Sequence, residues 1–133
     1  MYLLNSIRVL VGIFMISCVS ATSMQKIPAG DWGGEHIRIE VGAKSATIEY
    51  DCAHGVIEGP LDVDSAGRFN LRGTHTPERG GPIRSDDTGR ALPAKFVGSI
   101  NGDKMTLTLK LADAEDETFT LHKGKEANIF KCK

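Results

Sequence analysis

From Phe96 to Leu111 the chain reads Phe-Val-Gly-Ser-Ile-Asn-Gly-Asp-Lys-Met-Thr-Leu-Thr-Leu-Lys-Leu. Met105, Leu107, Leu109 and Leu111 alternate with Lys104, Thr106, Thr108 and Lys110. A period of two sends alternate side chains to opposite faces of an extended backbone, so this stretch reads as a half-buried strand. Asn101-Gly102, just ahead of it, is the strongest short hairpin signal, because both central positions of a type I′ turn need positive φ. A two-residue loop there pairs Ile100 with Asp103, Gly98 with Met105 and Phe96 with Leu107, which brings both apolar rows to one side.

The same alternation recurs toward the front. Ile37, Ile39 and Val41 alternate, Gly42 to Ser45 turn the chain, and Ala46, Ile48, Tyr50 and Cys52 alternate again. A four-residue loop pairs Ile39 with Ile48. Further strands are expected around Val56-Ile57, Leu61 to Val63, Arg68 to Arg72, Thr118 to His122 and Asn128 to Cys132, with turns at Asp64 to Gly67 and Lys123 to Lys125. No helical stripe exceeds one turn. Roughly eight short strands without a crossover helix predict an all-β domain, an antiparallel up-and-down barrel, with a β-sandwich as the alternative. Thr74 to Leu92, with Pro77, Gly80, Gly81, Pro82 and Gly89 and few apolar residues, reads as a long loop over the barrel opening.

Met1 to Ala21 carries one charge, Arg8, an apolar run from Val9 to Ile16 and small residues at Ser17, Ser20 and Ala21. This is the pattern of a cleavable signal peptide, too short in its apolar run to span a bilayer. Residues 22–133 are then a single exported domain, periplasmic or extracellular. Met15-Ile16-Ser17-Cys18 also resembles a lipobox, which makes Cys18 a candidate lipidation site and the one route to an outer-membrane anchor. The formal charge of the whole chain is −1, and losing Arg8 leaves −2. With no basic block, nucleic acid is excluded as a partner.

With Cys18 removed or acylated, Cys52 and Cys132 remain as an even pair in an oxidising compartment, and a disulfide between them is expected; two buried free thiols are the alternative. In an up-and-down barrel the ends of the second and last strands meet. Cys52 ends the strand read as second and Cys132 the one read as last, on the parity of Tyr50 and Phe130, so the bridge is expected to pin the seam from inside.

Candidate functional residues are few. Asp51 and His54, in Asp51-Cys52-Ala53-His54-Gly55, with His75 and His122 elsewhere, have the donor types for a metal but not zinc-ligand spacing, so they read as strand-end hydrogen-bonding groups and no metal or cofactor is called for. Cys52 beside His54 reads as an oxidised cysteine rather than a nucleophile. Glu78-Arg79-Gly80-Gly81-Pro82 with Arg84 is the most distinctive loop string, able to bind an anion or a partner chain through its glycines, against the plain reading of a solvated bend.

Gly30-Asp31-Trp32 resembles the Gly-x-Trp opening of lipocalin and related calycin barrels, which implies that Trp32 plugs one end of the barrel, a ligand-stacking Trp being the other reading. Gly30-x-Trp32-Gly33-Gly34, Tyr50-Asp51-Cys52-Ala53-His54-Gly55-x-Ile57-x-Gly59-Pro60 and Glu78-x-Gly80-Gly81-Pro82-x-Arg84 together resemble a family of uncharacterised exported bacterial proteins. That resemblance implies export and a shared domain, without an activity.

The sequence therefore predicts a non-enzymatic binding module for a small apolar ligand or an envelope protein, with Trp32, His54, Glu78, Gly80, Gly81 and Arg84 as contact candidates. One alternative is a periplasmic protease inhibitor whose flexible Thr22 to Ala29 arm enters a protease cleft. Another is a small metal-dependent hydrolase that gathers Asp51, His54, His75 and His122.

Overall fold

The alternation around Asn101 builds two long neighbouring strands of an all-β chain. The computed structural model describes residues 16–18, 24–78 and 90–132. Its strands are β1 (Gln25–Lys26), β2 (Gly30–Gly34), β3 (Ile37–Val41), β4 (Ser45–Tyr50), β5 (Ala53–Glu58), β6 (Asp62–Val63), β7 (Arg68–Pro77), β8 (Leu92–Asn101), β9 (Lys104–Lys110) and β10 (Glu117–Lys123). Eight of them close an antiparallel barrel in the order β10-β2-β3-β4-β5-β7-β8-β9. It is an up-and-down barrel and not a sandwich.

Ile39 pairs with Ile48, as the four-residue loop requires. The β8–β9 hairpin differs in register: Ile100 pairs with Met105, Gly98 with Leu107 and Phe96 with Leu109. The two loop residues are therefore Gly102 and Asp103, and of the two only Gly102 has positive φ, 62°. That is the demand of a type II′ turn, with glycine at its first central position, rather than of type I′. A shift by two residues preserves side-chain parity, so the same apolar row still faces inward.

Membership of the barrel departs from the sequence expectation at both ends. Gly30–Gly34 forms a full barrel strand although its glycines give it no alternating signal. Leu61 to Val63 stays outside the barrel, where β6 pairs with β1. Asn128 to Cys132 forms no strand; only Glu35 and Asn128 make an isolated bridge. Phe130 is 62% exposed, so this segment lies on the outside. Gly33 shows why it lies there: a Cβ on this residue would run into the Lys125 carbonyl oxygen and lie 2.9 Å from Ala127 N. The bare glycine backbone lets the C-terminal tail lie across the barrel wall.

The disulfide joins Cys52 to Cys132, with Cα atoms 5.2 Å apart. Once β2 is counted, Cys52 follows the third barrel strand. The bridge therefore staples the tail to the β4–β5 turn from outside and does not pin a seam between strand ends from within. The expected signal segment lies outside the described residues except for 16–18, of which Cys18 is unpaired and exposed.

The interior is filled by its own side chains. Trp32, Phe96, Ile37, Ile39, Ile48 and Leu107 are among those fully enclosed. Glycines admit the aromatic rings: a Cβ at Gly73 would sit 2.9 Å from Phe96, and one at Gly98 would sit 2.8 Å from Phe69. At the end where β5 leads into β7, Ile27, Leu61 and Val63 on and beside the β1–β6 pair join the same core. Ile27 N donates to the Leu61 carbonyl at 3.0 Å. Apolar burial thus closes that end, and polar side chains gather at the other.

Candidate functional site

At the opposite end, β4 and β7 finish while β5, β8 and β10 begin. Tyr50, His75 and Phe119 share this end and the inward parity. Tyr50 pairs with Ile37, His75 with Gly55 and Phe119 with Leu107, all on inward rows. Their rings pack closely, with centroids 5.2 Å apart for Tyr50 and His75 and 5.5 Å for Tyr50 and Phe119. They line an open recess of about 510 Å³ that also touches His36, Asp51 and Glu117.

Two of the residues lining this recess carry a buried polar atom with no partner among the described residues, the Tyr50 hydroxyl and His75 Nδ1. Tyr50 is only 5% exposed. Burial, and after it the charge of Glu117, push its phenol far above the ordinary value of 10.0. Burial also holds the His75 imidazole below 6.5, with Glu117 pulling the other way and His54 adding to the depression. Both groups are therefore neutral near pH 7. Glu117 pairs with Leu109, so it stands on the inward row and its carboxylate faces the mouth.

Around the rim, two histidine–carboxylate pairs flank the disulfide. His36 Nδ1 lies 2.6 Å from Asp51 Oδ2, while Asp51 Oδ1 accepts from Phe130 N at 2.9 Å. His54 Nδ1 lies 3.0 Å from Glu78 Oε1, and Lys131 Nζ donates to Glu78 Oε2 at 3.2 Å. Burial pushes the Glu78 carboxyl up, but the bonds from His54 and Lys131 outweigh this and hold it below its ordinary range. His36 adopts φ 67° in the tight β2–β3 turn, and its N–H donates to the Asn128 carbonyl at 2.8 Å. A non-glycine residue there costs about 1–2 kcal/mol, so the tail contacts help to hold a strained turn.

Of the contact candidates read from sequence, His54 and Glu78 are brought together. Gly80, Gly81 and Arg84, with Arg79, lie outside the described residues. Trp32 is fully enclosed and its indole N–H donates to the Pro28 carbonyl at 3.2 Å, so it presents no face to a ligand. Asp51, His54, His75 and His122 are not gathered: Asp51 and His54 serve separate pairs, His75 points inward, and His122 pairs with Gly33 toward the far end of β10. Among the described residues no group of three or more His, Cys, Asp or Glu is placed to hold a metal. Within the described part of the Thr22 to Ala29 arm, residues 24–29, Gln25 and Lys26 pair with Val63 and Asp62, so this part is not loose.

Sequence reasoning missed Tyr50, Phe119 and Glu117 as site residues. A usable signal was present in Glu117, which has the parity of Phe119 and Leu121 and so places a charge on an apolar row at a strand end. No protein-family model, curated protein or solved structure matches the chain.

Proposed function

We propose that this chain is a non-enzymatic, exported binding protein that seats a small ligand in the barrel mouth between Tyr50, His75 and Phe119. One observation carries the reading: Tyr50 and His75 both line the recess, and the Tyr50 hydroxyl and His75 Nδ1 are buried just behind its surface with no partner among the described residues. An unsatisfied buried polar group costs about 1–3 kcal/mol, and a bound molecule with complementary groups recovers that cost. The filled interior argues for the mouth, rather than the barrel lumen, as the seat of the ligand. The Cys52–Cys132 bridge supports an oxidising compartment, periplasmic or extracellular.

The test is native mass spectrometry of the exported protein, followed by a fragment screen read by side-chain NMR. A releasable adduct, or fragments that shift the Tyr50, His75 and Phe119 resonances, supports the assignment. Fragments that bind only elsewhere, or a bare protein that no fragment perturbs, overturn it.

A further inference from the structure

We infer that the mouth recess is built for a protonated amine on a small apolar or aromatic body, held between the Tyr50 hydroxyl, His75 Nδ1 and the Glu117 carboxylate. This rests on the proposed binding role and adds the class of ligand.

Donors and acceptors match. A primary ammonium offers three N–H donors and no acceptor. The recess offers three acceptors of different origin: a phenol oxygen, an imidazole nitrogen with its proton on Nε2, and a carboxylate. The first two have no partner among the described residues. Glu117 makes no ion pair or side-chain hydrogen bond among the described residues, in contrast to Asp51, which is engaged by His36 and Phe130 N.

Charge favours the same ligand. The recess touches the carboxylates of Asp51 and Glu117 but no lysine or arginine among the described residues. The influence of Glu117 extends to both orphan groups, since it raises the pKa of Tyr50 and opposes the depression at His75. A negative potential at a half-enclosed site repels an anionic ligand and attracts a cationic one.

The wall is aromatic. Tyr50 and Phe119 present aromatic rings 5.5 Å apart at the same spot, and aromatic faces attract ammonium groups through the ring quadrupole. Apolar substituents of the ligand then cover Phe119, which is only partly buried against the core.

The test titrates the oxidised mature protein with phenethylamine, phenethyl alcohol and hydrocinnamate, which share a body and differ in the charge of the head group, following the Tyr50, His75 and Phe119 resonances. Phenethylamine is expected to bind about five- to tenfold more tightly than the alcohol, and hydrocinnamate not at all. Glu117→Gln, at an exposed rim position, is expected to abolish the preference for the amine over the alcohol while leaving the folded spectrum unchanged. If the alcohol or hydrocinnamate binds as well as the amine at the recess, the cation assignment falls and the binding role stands. If the amine preference survives in Glu117→Gln, the carboxylate is not its source and the assignment also falls. If none of the three perturbs the recess, the amine assignment falls, while the binding role stands or falls on the fragment screen.

Discussion

Gly73 sits where β7 passes β5 over the Phe96 ring. A Cβ there would collide with the Val56 carbonyl oxygen and crowd the ring at 2.9 Å. Overpacking of this kind costs about 1–3 kcal/mol, so Gly73→Ala is expected to lower the unfolding free energy measured in urea by an amount at the upper end of that range. Tyr50→Phe should behave in the opposite way. It removes an unpartnered buried hydroxyl and keeps the ring, so the unliganded protein should be as stable as the parent, or more stable by about 1 kcal/mol. A clear loss of stability in denaturant titration would show that the hydroxyl has a partner after all. His75 gives a pH signature. Its folded pKa is depressed by burial, so the unfolded chain takes up the proton first as the medium is acidified. The stability contributed by the neutral imidazole is complete above about pH 6.5 and falls as pH drops through the lower, folded value. Denaturation midpoints for the parent and for His75→Gln should therefore diverge above pH 6.5 and draw together below it. Glu78 and Asp64, both held below the ordinary carboxyl range, extend the acid loss to lower pH.

Strands announced themselves wherever one face was polar and the other apolar. β3, β4 and β9 alternate cleanly, and their pattern was legible because their outer faces are wet. β2 was not legible, since Gly30, Gly33 and Gly34 have no side chain to alternate; Gly33 is glycine because the tail crosses it, and Gly34 because a Cβ would strike the Thr120 carbonyl oxygen. The reverse error arose at Asn128 to Cys132, where Ile129 and Phe130 look like strand residues but cover the outside of the wall. Turn chemistry explains the hairpin register. Asn-Gly signals a turn, but only the backbone decides whether the loop starts at the Asn or at the Gly. Gly102 has φ 62° with nothing within 4 Å of a Cβ, so Gly102→Ala should cost about 1 kcal/mol through backbone strain alone, with the β8–β9 pairing unchanged in amide exchange. A loss as large as that of Gly73→Ala would contradict the open surroundings of the turn.

Closure was legible because roughly eight short strand segments without helices leave few other ways to hide sheet edges, but the membership was not, since β2 takes a place in the wall that Leu61 to Val63 and Asn128 to Cys132 do not fill. The site was less legible. It is assembled from the ends of β4, β7 and β10, far apart in sequence, and depends on which strands are neighbours across the closed wall; Tyr50 and His75 meet only because β5 lies between their strands. The disulfide pairing followed from counting cysteines, its location did not. Because the bridge fastens a tail outside the ladder, replacing both Cys52 and Cys132 by Ala should leave the far-ultraviolet circular dichroism intact while lowering stability by up to about 4 kcal/mol in chemical denaturation. Loss of the β signal itself would mean that the strap is required for the barrel to form.

The bridge also decides how the molecule answers a mechanical load. Pulled from its two ends, the oxidised chain transmits tension from Cys132 straight to Cys52, so the strands between them carry none of it. Only β2, β3 and β4, with the segment before them, can be drawn out, a contour of roughly 95 Å from Gln25 against roughly 370 Å for the reduced chain. Under force the recess would open from its Tyr50 side, while the walls supplied by β7 and β10 stay sheltered behind the covalent loop.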